Sequence, residues 1–111
     1  MALSTVNEFI AQARLLLQDT VTPYRHEDAD YVAGLNAGLL EIRRSRPDLF
    51  IGITSVPTYS AGVTAVVLFE AYRLALLYFI AGYVQSKDDE EMSMQRASAF
   101  TQRFFELLRK A

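Results

Sequence analysis

The side chains with the most chemical capacity in this chain fall into a few small groups, each too sparse for catalysis. His26, the only histidine, is followed by Glu27 and Asp28. A metal site asks for several such ligands at a fixed spacing, and a catalytic base asks for a partner and a pocket, so this triplet reads as an exposed loop. Asp88, Asp89, Glu90 and Glu91 form an acidic run without the alternating ligands and turn glycine of a calcium loop. Arg43, Arg44 and Arg46 form a basic cluster with no glycine-rich phosphate cradle beside it. Tyr72, Tyr78 and Tyr83 lie along an apolar segment, where tyrosine buries its ring and keeps its hydroxyl at a polar edge. No nucleophile comes with a base. The expectation is a protein that is not an enzyme, with no catalytic, metal-ligating or cofactor-binding residue.

The elements that carry these groups explain two of them. Thr5 and Glu8 match a capping box, and Val6, Phe9, Ile10, Ala13, Leu16 and Leu17 recur on one face, predicting a helix over about 5–19. Pro23 interrupts, and a second helix is expected over 28–45, opened by the carboxylate of Asp28 and stopped before Pro47. Gly34 and Gly38 cost that helix intrinsic stability, which makes sense if another backbone packs closely there, the alternative being that they merely loosen it. The arginine cluster then sits at a helix C-terminus and the acidic run at the N-terminus of a last helix, over 89–109, where each sign complements the helix dipole. A sharper reading has Arg43, Arg44 and Arg46 pair with Asp88 and Asp89 of a neighbouring subunit, since a ring needs two different complementary faces on each copy.

Between these helices the pattern changes. Over about 50–68, Ile51, Ile53, Val56, Val63, Val66 and Val67 are β-branched and flank the turn-like run from Pro57 to Gly62. This reads as a β-hairpin or extended arm, which needs a surface to lie on because an isolated hairpin is marginal in water. The third helix, over 69–86, is apolar on every side and should be surrounded. The last presents Ala97, Phe100, Phe104, Leu107 and Leu108 inward. The fold class expected is mainly α: one compact four-helix bundle-like domain spanning 1–111, with the arm inserted between the second and third helices.

Composition narrows the function. Of 111 residues 51% are hydrophobic, including seven phenylalanines and six tyrosines, and a domain this small leaves much apolar surface for a partner to cover. A net charge of −2 argues against gripping nucleic acid, which takes a basic stripe. The lack of cysteine excludes disulfides and thiolate sites. The first residues read as no signal peptide, and the apolar run from Leu74 to Gln85 falls short of the roughly 20 residues that span a bilayer.

Read in order, the motifs resemble a known family, the small head-to-tail adaptor or connector proteins of tailed bacteriophages. The likeness runs through Ala13-Arg14-Leu15-Leu16-Leu17-Gln18-Asp19, then Tyr24-Arg25 and Asp28, Tyr31-Val32, Leu35-Asn36 and the Arg46-Pro47-Asp48 helix stop. Beyond the arm it continues with Tyr83, Ser86-Lys87-Asp88, Ala97, Phe100 and Phe104. The chain departs from the family at His26, where an aromatic residue is expected. The resemblance implies a structural virion protein that forms a ring of about twelve copies beneath the portal, closed by rotational symmetry. The ring would join the capsid to the tail and extend the DNA channel. Its partners would be the portal protein, a tail or next neck-ring protein, and genomic DNA passing without sequence-specific binding; no membrane is involved. Its place would be the virion neck, after assembly in the host cytoplasm. Phe50, Ile51, Ile53, Tyr59 and Val63 are the expected arm contacts, and Phe105, Leu108 and Arg109 the docking face, with ordinary core packing the other reading of Phe105 and Leu108. The competing readings are a generic helical interaction module or small dimeric regulator, and an enzyme or ligand binder using the tyrosine-rich centre.

Overall fold

The computed structural model describes residues 3–20, 26–46, 48, 58–60, 62, 65–66, 68, 72–86 and 91–110. Its helices are α1 (Val6–Leu17), α2 (Asp28–Ser45), α3 (Arg73–Gln85) and α4 (Glu91–Lys110).

α1 opens on the capping box that its sequence announces. The Glu8 amide donates to Thr5 Oγ1 at 3.3 Å, and the Thr5 amide donates back to Glu8 Oε1 at 3.0 Å. Val6, Phe9, Ile10, Ala13 and Leu17 form the buried face. The helix ends with its apolar pattern at Leu17, short of the expected end near Asp19, because Gln18 adopts the left-handed conformation with φ 56°. The amides of Gln18 and Asp19 then reach back to the carbonyls of Leu15 and Arg14, at 3.3 and 2.9 Å, as in a Schellman ending. Asp19 is thereby turned inward.

Glu8 also accepts a 2.7 Å bond from the Ser4 hydroxyl, and this bond, followed by that from the Thr5 amide, holds its pKa below the ordinary 4.5. A depressed folded-state pKa stabilises the fold above the unfolded value and ceases to do so as pH falls through the folded value. The stability difference between wild type and Glu8→Gln, read from urea midpoints, is therefore expected to be constant above pH 4.5 and to shrink at lower pH. A pH-independent difference would disprove this role.

α2 differs from expectation at its start. Glu27, not Asp28, is the N-cap residue, and its amide donates to the Asp30 carboxylate at 3.3 Å. Asp28 is engaged elsewhere. Gly34 and Gly38 do mark a close approach to α3. A Cβ at Gly38 would lie 2.6 Å from Leu76 Cδ1 and 2.9 Å from Phe79 Cδ1, whereas one at Gly34 would meet Tyr83 Cδ1 at 3.1 Å. Gly→Ala in a helix gains about 1 kcal/mol of propensity. Overpacking costs about 1–3 kcal/mol. Gly38→Ala should be net destabilising and Gly34→Ala close to neutral, a difference that thermal unfolding measures; equal effects would mean that α2 and α3 are not locked at Gly38.

α3 is central, packed by α1, α2 and α4. Ala75, Leu76, Leu77, Ile80, Ala81 and Val84 are buried, which accounts for its lack of a polar face. Gly82 brings α4 close: a Cβ there would meet the Ala97 carbonyl at 3.1 Å. Ala97, Phe104 and Leu108 of α4 are buried. The expected extensions of α3 back to 69 and α4 back to 89 lie outside the described residues, apart from Tyr72 at the N-cap of α3.

No strand occurs among the described residues of the expected arm, while Phe50, Ile51, Ile53 and Val63 lie outside them. What is described pairs with the start of the chain. Thr5 and Ala65 form an isolated antiparallel bridge, the Val66 amide donates to the Ser4 carbonyl at 2.8 Å, and the Asn7 amide donates to the Gly62 carbonyl at 2.9 Å. Residues just before a helix have free backbone groups to offer. Tyr59, Val66 and Leu68 are buried in the chain's own core.

Candidate functional site

The polar side chains that join distant parts of the chain form three groups. The first surrounds Arg14, which lies on α1 with only 7% of its surface exposed. Its Nη1 donates to Asp19 Oδ2 at 2.9 Å and to the His26 carbonyl at 3.0 Å, while Nη2 donates to Asp28 Oδ1 at 2.8 Å. Asp19 Oδ2 also accepts from the Tyr31 hydroxyl at 2.9 Å and the His26 amide at 3.2 Å. The guanidinium carbon sits 4.7 Å from the centre of the Tyr31 ring. Burial alone would lower the pKa of Arg14, but the Asp28 hydrogen bond and the neighbouring negative charges raise it above its ordinary value. A fixed cation thus ties the end of α1, the loop at His26 and the start of α2 together. Residues Arg14, Glu27, Asp28 and Ala29 line an open depression of about 430 Å³ over this group.

In the second group the Asn36 side chain treats the Tyr59 backbone as a pairing partner. Its Nδ2 donates to the Tyr59 carbonyl at 3.0 Å, and its Oδ1 accepts from the Tyr59 amide at 2.8 Å. The third centres on Arg46, past the end of α2. Its Nε and Nη2 form a forked pair with Asp48 at 3.1 and 3.0 Å, and its Nη1 donates to the Leu108 carbonyl near the end of α4 at 2.8 Å. The Tyr72 hydroxyl lies 3.4 Å from Nη2. The Asp48 hydrogen bond holds Arg46 above its ordinary pKa, and Arg46 in turn holds the Asp48 carboxyl below its own.

Several sequence-based expectations change. His26 is 6% exposed rather than displayed on a loop, because its backbone is drawn in by Arg14 and Asp19. Tyr59 is not an outward arm contact: it is 8% exposed and held against α2. Leu108 is not on a docking face, being 2% exposed under α3, whereas Phe105 is 39% exposed and Arg109 is exposed. Of the basic cluster, Arg44 pairs with Glu41 and Arg46 with Asp48 within the chain; Arg43 is half-buried. Asp88 and Asp89 lie outside the described residues. The Arg14 group was missed as a unit because its members come from separate local patterns. The hint was an arginine on the apolar face of an otherwise amphipathic helix.

No family model, curated protein or solved structure matches the chain. Among the described residues there is also no cluster of three or more groups that could hold a metal ion, and no helix long and apolar enough to cross a membrane. Among the described residues, the exposed large apolar side chains besides Phe105 are Leu15 on α1, Leu40 on α2 and Leu74 on α3. The three polar groups bind the chain to itself. Single apolar side chains, one on each helix, are what these groups leave exposed among the large apolar residues described.

Proposed function

We propose that this chain is a head-to-tail connector subunit of a tailed bacteriophage, a structural virion protein that forms a ring under the portal, joins capsid to tail and extends the DNA channel. One observation carries the reading. Seven of the residues that bear the family resemblance also take part in the polar contacts described above: Arg14, Asp19, Asp28 and Tyr31 in one network, Asn36 on the Tyr59 backbone, and Arg46 with Asp48 at the helix stop. Tyr83, Ala97 and Phe104 in turn fill the close approaches between helices.

The net charge of −2 supports the same reading, since a wall past which DNA slides must not bind its phosphates. An amber mutation in the gene, placed in the phage genome that carries it, tests the proposal. Filled heads without tails, rescued by the gene in trans, are expected; normal tailed particles from the mutant would refute it.

A further inference from the structure

Two arginines at the end of α2 serve different helices. Arg44, exposed, pairs with Glu41 on its own helix. Arg46 reaches the far end of α4 instead, where its Nη1 donates to the Leu108 carbonyl at 2.8 Å, across 62 residues of sequence. Leu108 is among the last four residues of α4, whose carbonyls have no amide to accept from within the helix. A side chain from the end of α2 thus supplies a partner that α4 cannot provide for itself.

The rest of the guanidinium is arranged so that this bond can form. Nε and Nη2 are taken by the two oxygens of Asp48 at 3.1 and 3.0 Å, while Nη1 is turned to α4. The Tyr72 ring lies against the same group, its centre 5.5 Å from Cζ. A planar fork already held along one edge has little freedom to turn, so bonding to Leu108 costs little further ordering. We infer that Arg46 is a latch: oriented by Asp48, it holds the last turn of α4 closed, and without it that turn opens while the bundle stays folded. The inference rests on the fold and stands apart from the connector reading. Opening brings Leu108, 2% exposed in the closed turn, to the surface. Helix ends open more readily than cores, so one charge-assisted hydrogen bond at such an end sets how often the turn is open.

Amide hydrogen exchange on the whole chain, resolved by residue with NMR, tests the latch. In the wild type the amides of Leu107, Leu108 and Arg109 should be protected. Arg46→Gln should speed their exchange at least about tenfold, the effect of losing one hydrogen bond to a charged group, and leave the amides of Leu76 and Ile80 in α3 unchanged. Arg46→Lys keeps a positive charge near the helix end, which is all that the helix dipole asks for, but loses the fork; it should therefore speed exchange nearly as much as Arg46→Gln. Asp48→Asn should have a smaller effect of the same kind, and Arg44→Gln none at these amides. Amides of 107–109 that are unprotected in the wild type overturn the inference, as does wild-type protection in Arg46→Lys. An acceleration spread evenly over α3 and α4 in Arg46→Gln also overturns it, since Arg46 would then support the whole fold rather than one turn.

Discussion

Replacing Arg14 by methionine is expected to destabilise the fold by about 3–5 kcal/mol, the range for breaking a buried ion pair from one side. Methionine fills much of the same space, so the loss would come from electrostatics. The Asp19 side chain is 2% exposed and would keep its charge without its cation, the Tyr31 hydroxyl and the His26 amide still donating to it. The His26 carbonyl would lose its bond from Nη1 as well. For a domain with a total stability of about 5–15 kcal/mol, that is enough to unfold a sizeable fraction at physiological temperature. Urea denaturation of wild type, Arg14→Met, Asp19→Leu and the double variant reads the effect. The double variant should regain part of the loss of Arg14→Met, because it removes the stranded carboxylate. A cost below about 1 kcal/mol for Arg14→Met is typical of a surface pair and would show that the network is not a structural staple.

Phe104→Ala is the second large effect, expected at about 3–5 kcal/mol for a fully buried phenylalanine. Phe104 is 0% exposed, with its ring 5.0 Å from that of Phe79 on α3 and 4.9 Å from that of Phe105. The cavity would open at the contact between α3 and α4, where Gly82 has already brought the backbones together and little collapse is available. Its neighbour gives the contrast. Phe105→Ala should cost no more than about 1 kcal/mol, since much of its ring already meets water. Thermal unfolding of the two variants side by side measures the difference. Similar losses would mean that α4 is rotated from the orientation described. The same pair separates folding from docking: Phe105→Ser should leave the chain folded, so any loss of portal binding in it reports on the surface.

The legible parts of this fold are those written in short spans. The capping box at Thr5 and Glu8, the buried stripe of α1 and the span of α2 follow from local spacing, and Gly34 and Gly38 announce a neighbouring backbone before any neighbour is known. Where long-range forces decide, local reading goes astray. Asp28 looks like a helix cap, but Arg14 offers it a cation and Glu27 takes the capping place. His26 looks exposed in a polar run, yet the buried carboxylate of Asp19 draws its backbone in. The β-branched run around Val66 looks like half of a hairpin, although Ser4 and Thr5 supply the backbone partners. For the candidate site, helical spacing already places Leu108 with Phe104 on the inward stripe and Phe105 about 100° around the helix from it, which agrees with their burial, whereas nothing in local spacing says what meets the exposed side of Phe105.

Light scattering after size exclusion, on this chain mixed with the purified portal protein from the same genome, bears on the connector proposal at the level of the assembly itself. A complex heavier than the portal ring, holding the two proteins in equal or near-equal copies, is expected, and Phe105→Ser should weaken it without unfolding the chain. A portal ring that elutes bare at every ratio, while the chain elutes separately and folded, would contradict the connector proposal and leave a helical interaction module in its place.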